Sequence, residues 1–277
     1  MATILKKNLN GSKGILSFTH KENKKLDNPI THFFLKNSLL EIKKNYFLSM
    51  LWGWFHENHK DVPYIDFHLA GKGTLSFKNK SNNKILDFCN RNFIDKIFKK
   101  KELNKIYDII CITRPVKFKN IDKIFLAAKK LYEKKKFIKF LIIFPIVSIK
   151  SLKNKKEFYN NLFDDYEKIF TEEEKKYINL MPLYFEKQFP LSKDEICNFM
   201  NLSKIFLLPV EKEGASRVIH EALLCGLPVI TCKNLKGGGL DYLNEKNSLL
   251  IEDLNNMDVT ILNLHSNLKI MTLMQIF

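Results

Sequence analysis

The sequence predicts an α/β protein built on a doubly wound parallel sheet. Three observations support this. From about residue 105, short apolar runs rich in Ile, Leu and Phe alternate with stretches of helical spacing. Two helix starts carry capping boxes, and one helix end is followed by Gly226 and then Pro228.

Tyr107–Thr113 (YDIICIT) is an Ile-rich run suited to a strand buried on both faces. Arg114–Asn120 is a basic loop. Ile121, Ile124, Phe125, Ala128, Leu131 and Tyr132 then recur at helical spacing and predict an amphipathic helix. Phe137–Ile146 reads as a second buried strand. Ser151–Tyr177 is polar and helix-rich, with Thr171 and Glu174 spaced as a capping box. Ile178–Phe185 is a further strand. Ser192 and Glu195 form the second capping box and open a short helix with Ile196, Phe199 and Met200 on one side. Lys204–Val210 is a strand, Ser216–Cys225 a helix and Pro228–Cys232 one more strand. The first 105 residues are less regular. Gly14–Thr19 and Tyr64–Ala70 are candidate strands there, and Ser38–Trp52 and Lys84–Lys100 candidate helices. The expected division is therefore a small α/β domain over 1–105 and a Rossmann-like domain over 106–277.

With 45% hydrophobic and 27% charged residues, the 277-residue chain can build a core, and disorder is not expected. The net charge of +16 admits nucleic acid, anionic membrane or phosphate-bearing ligands. Arginine is confined to Arg91, Arg114 and Arg217, while lysine is spread along the whole length. A nucleic-acid binder more often clusters arginine with aromatics, so no nucleic-acid partner is expected. Most of the lysine reads as a solvated face in a composition rich in Lys, Asn, Ile and Phe. The five cysteines form no CxxC pair, and Cys111, Cys225 and Cys232 sit in apolar runs as small hydrophobes. That usage fits a reducing cytosol. Met1–Asn10 has no apolar stretch of signal-peptide length, and no run reaches the length of a membrane span. A cytoplasmic protein is expected, with a basic surface able to rest peripherally on anionic membrane.

The densest chemistry lies in Glu213-Gly214-Ala215-Ser216-Arg217-Val218-Ile219-His220-Glu221, where two glutamates flank seven residues. The first is expected in the loop after a strand, where open α/β sheets bind ligands. The second falls inside the following helix, whose free N–H groups and positive dipole end suit phosphate. Gly214 and Ala215 lack bulk and let a ligand approach the backbone. Carboxylates bind vicinal hydroxyls strongly, so a pair at this spacing could hold two sugars on either side of a diphosphate. Taken alone, Glu221 also reads as a solvent-facing residue paired with Arg217 one turn earlier. His56-Glu57-Asn58-His59 has its histidines three apart rather than four and no evident third ligand, so no metal site is expected.

This segment resembles the Glu-x7-Glu motif of glycosyltransferase family 4 and related retaining enzymes of the GT-B fold. There, too, the motif runs into a small-residue helix and a Gly-Leu-Pro-Val strand, here Gly226–Val229. The resemblance implies that Glu213 contacts hydroxyls of the donor sugar and is the nearest thing to a catalytic residue. Glu221 would hold the ribose, and backbone N–H groups of Gly214, Ala215, Ser216 and Arg217 would line the donor site. The family also opens its donor domain with a strand, an arginine and then a lysine, which grip the diphosphate. Arg114 and Lys119 match, with Lys117 a rival for the lysine role. Thr113 and Asn120 stand where the family often has glycines; asparagine tolerates the left-handed conformation better than most residues. A third similarity is Lys236-Gly237-Gly238-Gly239-Leu240-Asp241-Tyr242-Leu243, followed by Asn247–Ile251.

The resemblance covers about half the chain. It implies a GT-B-like fold of two Rossmann-like domains, with the N-terminal one reduced and the C-terminal one cut short. It implies a metal-independent transferase that needs no cofactor beyond its nucleotide-diphosphate sugar donor. The acceptor would be a polysaccharide, lipid-linked or protein glycan. The alternative is a non-transferring GT-B relative, either an epimerase or an inactive donor-binding remnant. GT-B enzymes often use a histidine or aspartate from the N-terminal domain, for which His20, His32 and His68 are available.

Overall fold

The computed structural model describes residues 3–19, 29–52, 64–70, 84–87, 94–147, 156–185, 191–213, 216–236 and 238–274. The chain divides into two compact units. The first comprises Met1–Asn90 with the short segments Lys212–Ser216 and Lys236–Asp241. The second comprises Arg91–Glu211, Arg217–Leu235 and Tyr242–Phe277. Residues 91–105 thus go with the second unit. His20, His56–His59, Gly214, Ala215 and Gly237 lie outside the described residues, as does the side chain of His32.

The first unit holds a sheet of β1 (Thr3–Lys6), β2 (Gly14–Thr19), β3 (Tyr46–Trp52), β4 (Phe67–Ala70) and β5 (Lys84–Asp87), in that spatial order. β1 runs antiparallel to β2, and the other pairs are parallel. Helix α1 (Pro29–Asn45) makes the crossover from β2 to β3. Two helices expected from the sequence are corrected here. Residues 46–52 are a strand, not the end of a helix from Ser38. Leu48, Ser49 and Met50 are buried in succession, as happens in a parallel strand covered on both faces. Such a run lacks the alternation that would separate it from a buried helix. Likewise Lys84–Asp87 is a strand paired with β4, and Ile94–Lys100 forms turns rather than a helix. Phe18, Leu39, Leu48, Met50, Ile65 and Ala70 form the core.

The second unit is a six-stranded, wholly parallel sheet. Its strands are β6 (Tyr107–Ile112), β7 (Phe140–Val147), β8 (Ile178–Phe185), β9 (Ser203–Leu208), β10 (Val229–Cys232) and β11 (Ser248–Ile251). The spatial order is β11-β10-β9-β6-β7-β8. The chain starts at β6, moves outward to β8, then returns to pair β9 against the other side of β6. The helices are α2 (Ile121–Glu133), α3 (Lys156–Ile169), α4 (Glu172–Lys175), α5 (Lys193–Asn201), α6 (Arg217–Leu224) and α7 (Met257–Met274). The apolar stripe of α2 is buried, including all six residues at the expected spacing. α2 shares its core with Leu162 and Phe170 and with Met257, Ile261 and Leu264 of α7.

Both capping boxes form as expected. Thr171 Oγ1 accepts from the Glu174 N–H, and the Thr171 N–H donates to Glu174 at 2.8 Å. Ser192 and Glu195 repeat the arrangement at the start of α5. The buried face of α5 differs from the expected one: Cys197, Met200 and Asn201 are covered, while Ile196 and Phe199 are only half-buried. The reason is hydrogen bonding. Asn201 Nδ2 donates to the carbonyls of Lys99 and Cys197, both at 2.9 Å, and its Oδ1 accepts from the Lys101 N–H at 2.7 Å. A fully satisfied amide can be buried without penalty, and it pins the segment entering β6.

Helix α6 ends as its sequence predicts. Gly226 has φ +78°, its N–H donates to Leu223 O, and the Leu227 N–H reaches Ala222 O, which is a Schellman closure. A Cβ on Gly226 would meet only the flexible Lys100 side chain at 3.3 Å, so the cost of adding one is in the backbone. Gly226→Ala is expected to destabilise the second unit by about 1–2 kcal/mol, read by urea unfolding. An unchanged midpoint would contradict the left-handed assignment.

At the amino end of the sheet, Asp108 on β6 gathers three donors. Lys204 Nζ lies 2.7 Å and His265 Nε2 3.1 Å from Oδ1, and the Lys139 N–H donates to Oδ2 at 2.9 Å. Burial pushes the Asp108 carboxyl up, but the bonds from His265, Lys139 and Lys204 outweigh it and hold it well below the ordinary carboxylate value. Because the folded value is depressed, its stabilisation is complete above about pH 4 and is lost as pH falls towards the folded value. Thermal unfolding followed from pH 7 to pH 3 should therefore show a steeper acid loss for wild type than for Asp108→Asn. Parallel curves would mean that Asp108 does not carry the linkage.

Candidate functional site at the sheet's switch point

The parallel register pairs Tyr107 with Ser203 and Ile110 with Phe206. Carried forward, it sets Ile112 beside Leu208, so β6 and β9 end side by side. The loops leaving these two strands lead in opposite directions across the sheet, to β7 and to β10. This is the topological switch point, where open α/β sheets hold ligands beyond their carboxyl ends.

The β6 loop is a compact structure. The Thr113 N–H donates to Ile143 O at 3.1 Å, and Thr113 is buried. Arg114 is exposed. Lys117–Lys119 form a single 3-10 turn, closed by the Asn120 N–H on Lys117 O. Asn120 takes φ 55° and ψ 36°, the left-handed conformation that its residue type tolerates. The turn separates the two candidate lysines. Lys117 points to solvent, whereas Lys119 is 4% exposed, with Nζ 5.6 Å from the centroid of the Phe118 ring. The Lys119 ammonium is close enough to Cys111, at the end of β6, to offset in part the burial that pushes that thiol up to about 12.

The β9 loop begins at Pro209 and enters α6 at Arg217. Arg217 is exposed, and Glu221 sits one turn further along, half-buried. Burial pushes the Glu221 carboxyl above its ordinary value, with Arg217 and then Lys193 of α5 pulling it back. Among the described residues Glu221 makes no ion pair with Arg217 and its carboxylate has no hydrogen-bond partner, although Arg217 acts on it at longer range. The pairing that would have made it an ordinary surface residue is absent there. Beside it, the His220 and Tyr242 rings approach to 3.4 Å between centroids. Tyr242 ends the 3-10 turn Leu240–Tyr242, and Asn247 Nδ2 donates to its carbonyl at 3.0 Å.

Glu213 and Ser216 belong to the first unit, with Gly238 and Gly239. Lys212 and Lys236 form a parallel bridge, and the Glu213 N–H donates to Lys236 O at 3.0 Å. Ser216 is 2% exposed, and its Oγ has no hydrogen-bond partner among the described residues. Of the residues singled out in the sequence, Arg114 and Lys119 thus stand on the loop leaving β6, and Arg217 and Glu221 on the helix reached from β9. Three interactions carried no local signal: Lys193 acts on Glu221 from another helix, the His220–Tyr242 contact spans 22 positions, and Asn120 donates across the switch point to Pro209 O.

Residues 93–261 match the profile of Glycosyl transferases group 1. The chain belongs to this family. No curated protein matches it in sequence. Among solved structures, the pneumococcal O-GlcNAc transferase GtfA, in complex with UDP and GlcNAc, is 15% identical with a TM-score of 0.59. That alignment covers 87% of this chain and 50% of GtfA. A mutant of S. aureus TarM, in complex with fondaparinux, α-GlcNAc-glycerol and UDP, is 19% identical at a TM-score of 0.59, covering 84% of this chain and 46% of TarM. The UDP-forming α,α-trehalose-phosphate synthase of Burkholderia xenovorans, bound to glucose-6-phosphate, is 10% identical at 0.57, covering 86% and 67%. The likeness at these identities is one of fold, and the fold is that of GT-B glycosyltransferases. The chain spans about half the length of GtfA and of TarM.

The charges around Glu221 can be tested directly. Arg217→Ala should raise the Glu221 midpoint further, and Lys193→Ala should do so by less, in carbon-13 NMR titration of the carboxyl at low salt. A midpoint unmoved in both variants would show that neither cation acts on Glu221.

Proposed function

We propose that the protein transfers a sugar from a nucleotide-diphosphate sugar to an acceptor hydroxyl, with retention of anomeric configuration. The observation that carries this reading is the half-buried carboxylate of Glu221, unpartnered among the described residues. It lies on the helix reached from β9, while the neighbouring β6 loop carries Arg114 and Lys119. A half-buried carboxylate without a hydrogen-bond partner costs stability unless a ligand completes it. Ribose hydroxyls are donors of the right kind.

In this reading Arg114 and Lys119 grip the donor diphosphate. The Lys119 ammonium, already largely withdrawn from water, acts more strongly on developing charge than a solvated one would. The family resemblance also assigns the backbone N–H groups of Gly214, Ala215, Ser216 and Arg217 to the donor phosphate, and the positive end of α6 suits an anion. Glu213 orients the hexose. As the C1–O bond to the diphosphate breaks, the electron pair passes to the phosphate oxygen. The acceptor oxygen bonds to C1 from the same face and gives its proton to that departing oxygen. The cations and helix dipole balance the charge, so the step is metal-independent. UDP is the first candidate nucleotide, since GtfA and TarM are both solved with it. The acceptor class is a glycan or a lipid-linked glycan.

Calorimetry with UDP, GDP and ADP tests the donor site. One nucleotide is expected to bind, and Glu221→Ala to weaken it by roughly 1.5–3 kcal/mol, the scale of a hydrogen bond to a charged group. Because burial raises the Glu221 carboxyl and its ionised form accepts from ribose more strongly than the protonated one, affinity should fall as pH drops through that raised midpoint. The Glu221→Ala variant should lack this dependence. Failure of a folded wild type to bind any of the three would end the transferase reading. Turnover of a nucleotide sugar without acceptor would favour an epimerase instead.

A further inference from the structure

The exit of β9 carries two consecutive carbonyls, and each is taken by a side chain from a different neighbouring strand's territory. Thr231 Oγ1, on β10, donates to Leu208 O at 2.7 Å. Asn120 Nδ2, on the β6 loop, donates to Pro209 O at 2.7 Å. Beyond the last ladder bonds, nothing in a parallel sheet forces neighbouring strand ends to stay together, least of all at a switch point where the two loops lead apart. Asn120 makes a direct tie across that divergence.

Asn120 is also the pivot of its own loop. Its N–H closes the 3-10 turn on Lys117 O, and its carbonyl accepts from the Lys123 and Ile124 N–H groups at the start of α2. Its left-handed backbone turns the chain between the two. Glycine would meet that backbone demand at no steric cost. It would leave Pro209 O without its amide. The asparagine therefore does something that the local turn does not require.

We propose that Asn120 is a positioning residue for the donor diphosphate. Its side-chain amide fixes the β6 loop, with Arg114 and Lys119, against the exit of β9. The inference rests on the donor-binding reading above. It separates two roles of one residue. The backbone role builds the turn, and the amide role sets the distance of the cations from the strand whose loop leads to the glutamates.

The test uses Asn120→Gly and Asn120→Asp, which both tolerate the left-handed backbone and both lack the N–H donor. Thermal unfolding and calorimetry with UDP, GDP and ADP are measured on wild type and both variants, with the matching nucleoside as a second ligand. Both variants are expected to fold. Affinity for the nucleoside diphosphate should fall by about five- to tenfold in Asn120→Gly, the loss of one hydrogen bond's ordering effect. Affinity for the nucleoside, which does not reach the cations, should stay within twofold of wild type. A purely structural role would lower both affinities together or neither. Unchanged diphosphate affinity in Asn120→Gly, or an equal loss for the nucleoside, would overturn the proposal. Absence of nucleotide binding in wild type itself would instead overturn the donor-site reading on which it stands.

Discussion

When a parallel sheet is extended outward from β6 to β8 and then resumed by placing β9 on the opposite side of β6, the two crossovers run in opposite directions. Right-handed connections then put their helices on opposite faces. The helices bear this out. α2 shares a core with α3 and α7, while α5 and α6 meet elsewhere, where Cys197 and Cys225 bring their sulfurs to 3.8 Å. Between β6 and β9 no crossover helix can close the top of the sheet. That single pairing decides which loops diverge at this end of the sheet and leaves side chains such as Asn120 to tie them.

The electrostatics follow from this geometry. Lys119 and Glu221 are both drawn out of water at the same end of the second unit, on different elements. Burial raises the Glu221 carboxyl above its ordinary value. In a chain with a net charge of +16 and lysines along its length, Lys119 is the one buried lysine among the described residues. The contrast with Asp108 is instructive. At the amino end of the sheet a carboxylate is buried too, but three donors satisfy it and bind β6, β9 and α7 into one body. One end of the unit is closed by completed polar contacts, and the other carries a half-buried carboxylate with no hydrogen-bond partner among the described residues.

The elements legible in the sequence were those whose signal is local. The two capping boxes are reciprocal bonds across three residues, and the α6 terminus is a glycine doing what only glycine does cheaply. The periodicity of α2 reports one buried face. β3 was misread because a strand covered on both faces carries the same apolar run as a buried helix, and β5 because four residues, half of them charged, become a strand only by pairing with β4. The buried face of α5 escaped because its key residue is a polar one, whose burial depends on carbonyls about a hundred positions away.

The same division holds for the candidate site. Glu213, Glu221, Arg114 and Lys119 were visible as residue types at spacings that resemble the motifs of a glycosyltransferase family. Their family followed from that pattern. What the sequence could not decide was which of two lysines is buried, whether Glu221 is paired with Arg217, and what holds the β6 loop to β9. Each depends on distances between segments separated by the whole winding of the sheet. Local sequence determines the turns, caps and chemical groups because their partners are a few residues away. Tertiary structure alone determines burial, pairing and the Asn120 tie, because the strand order brings residue 120 to residue 209.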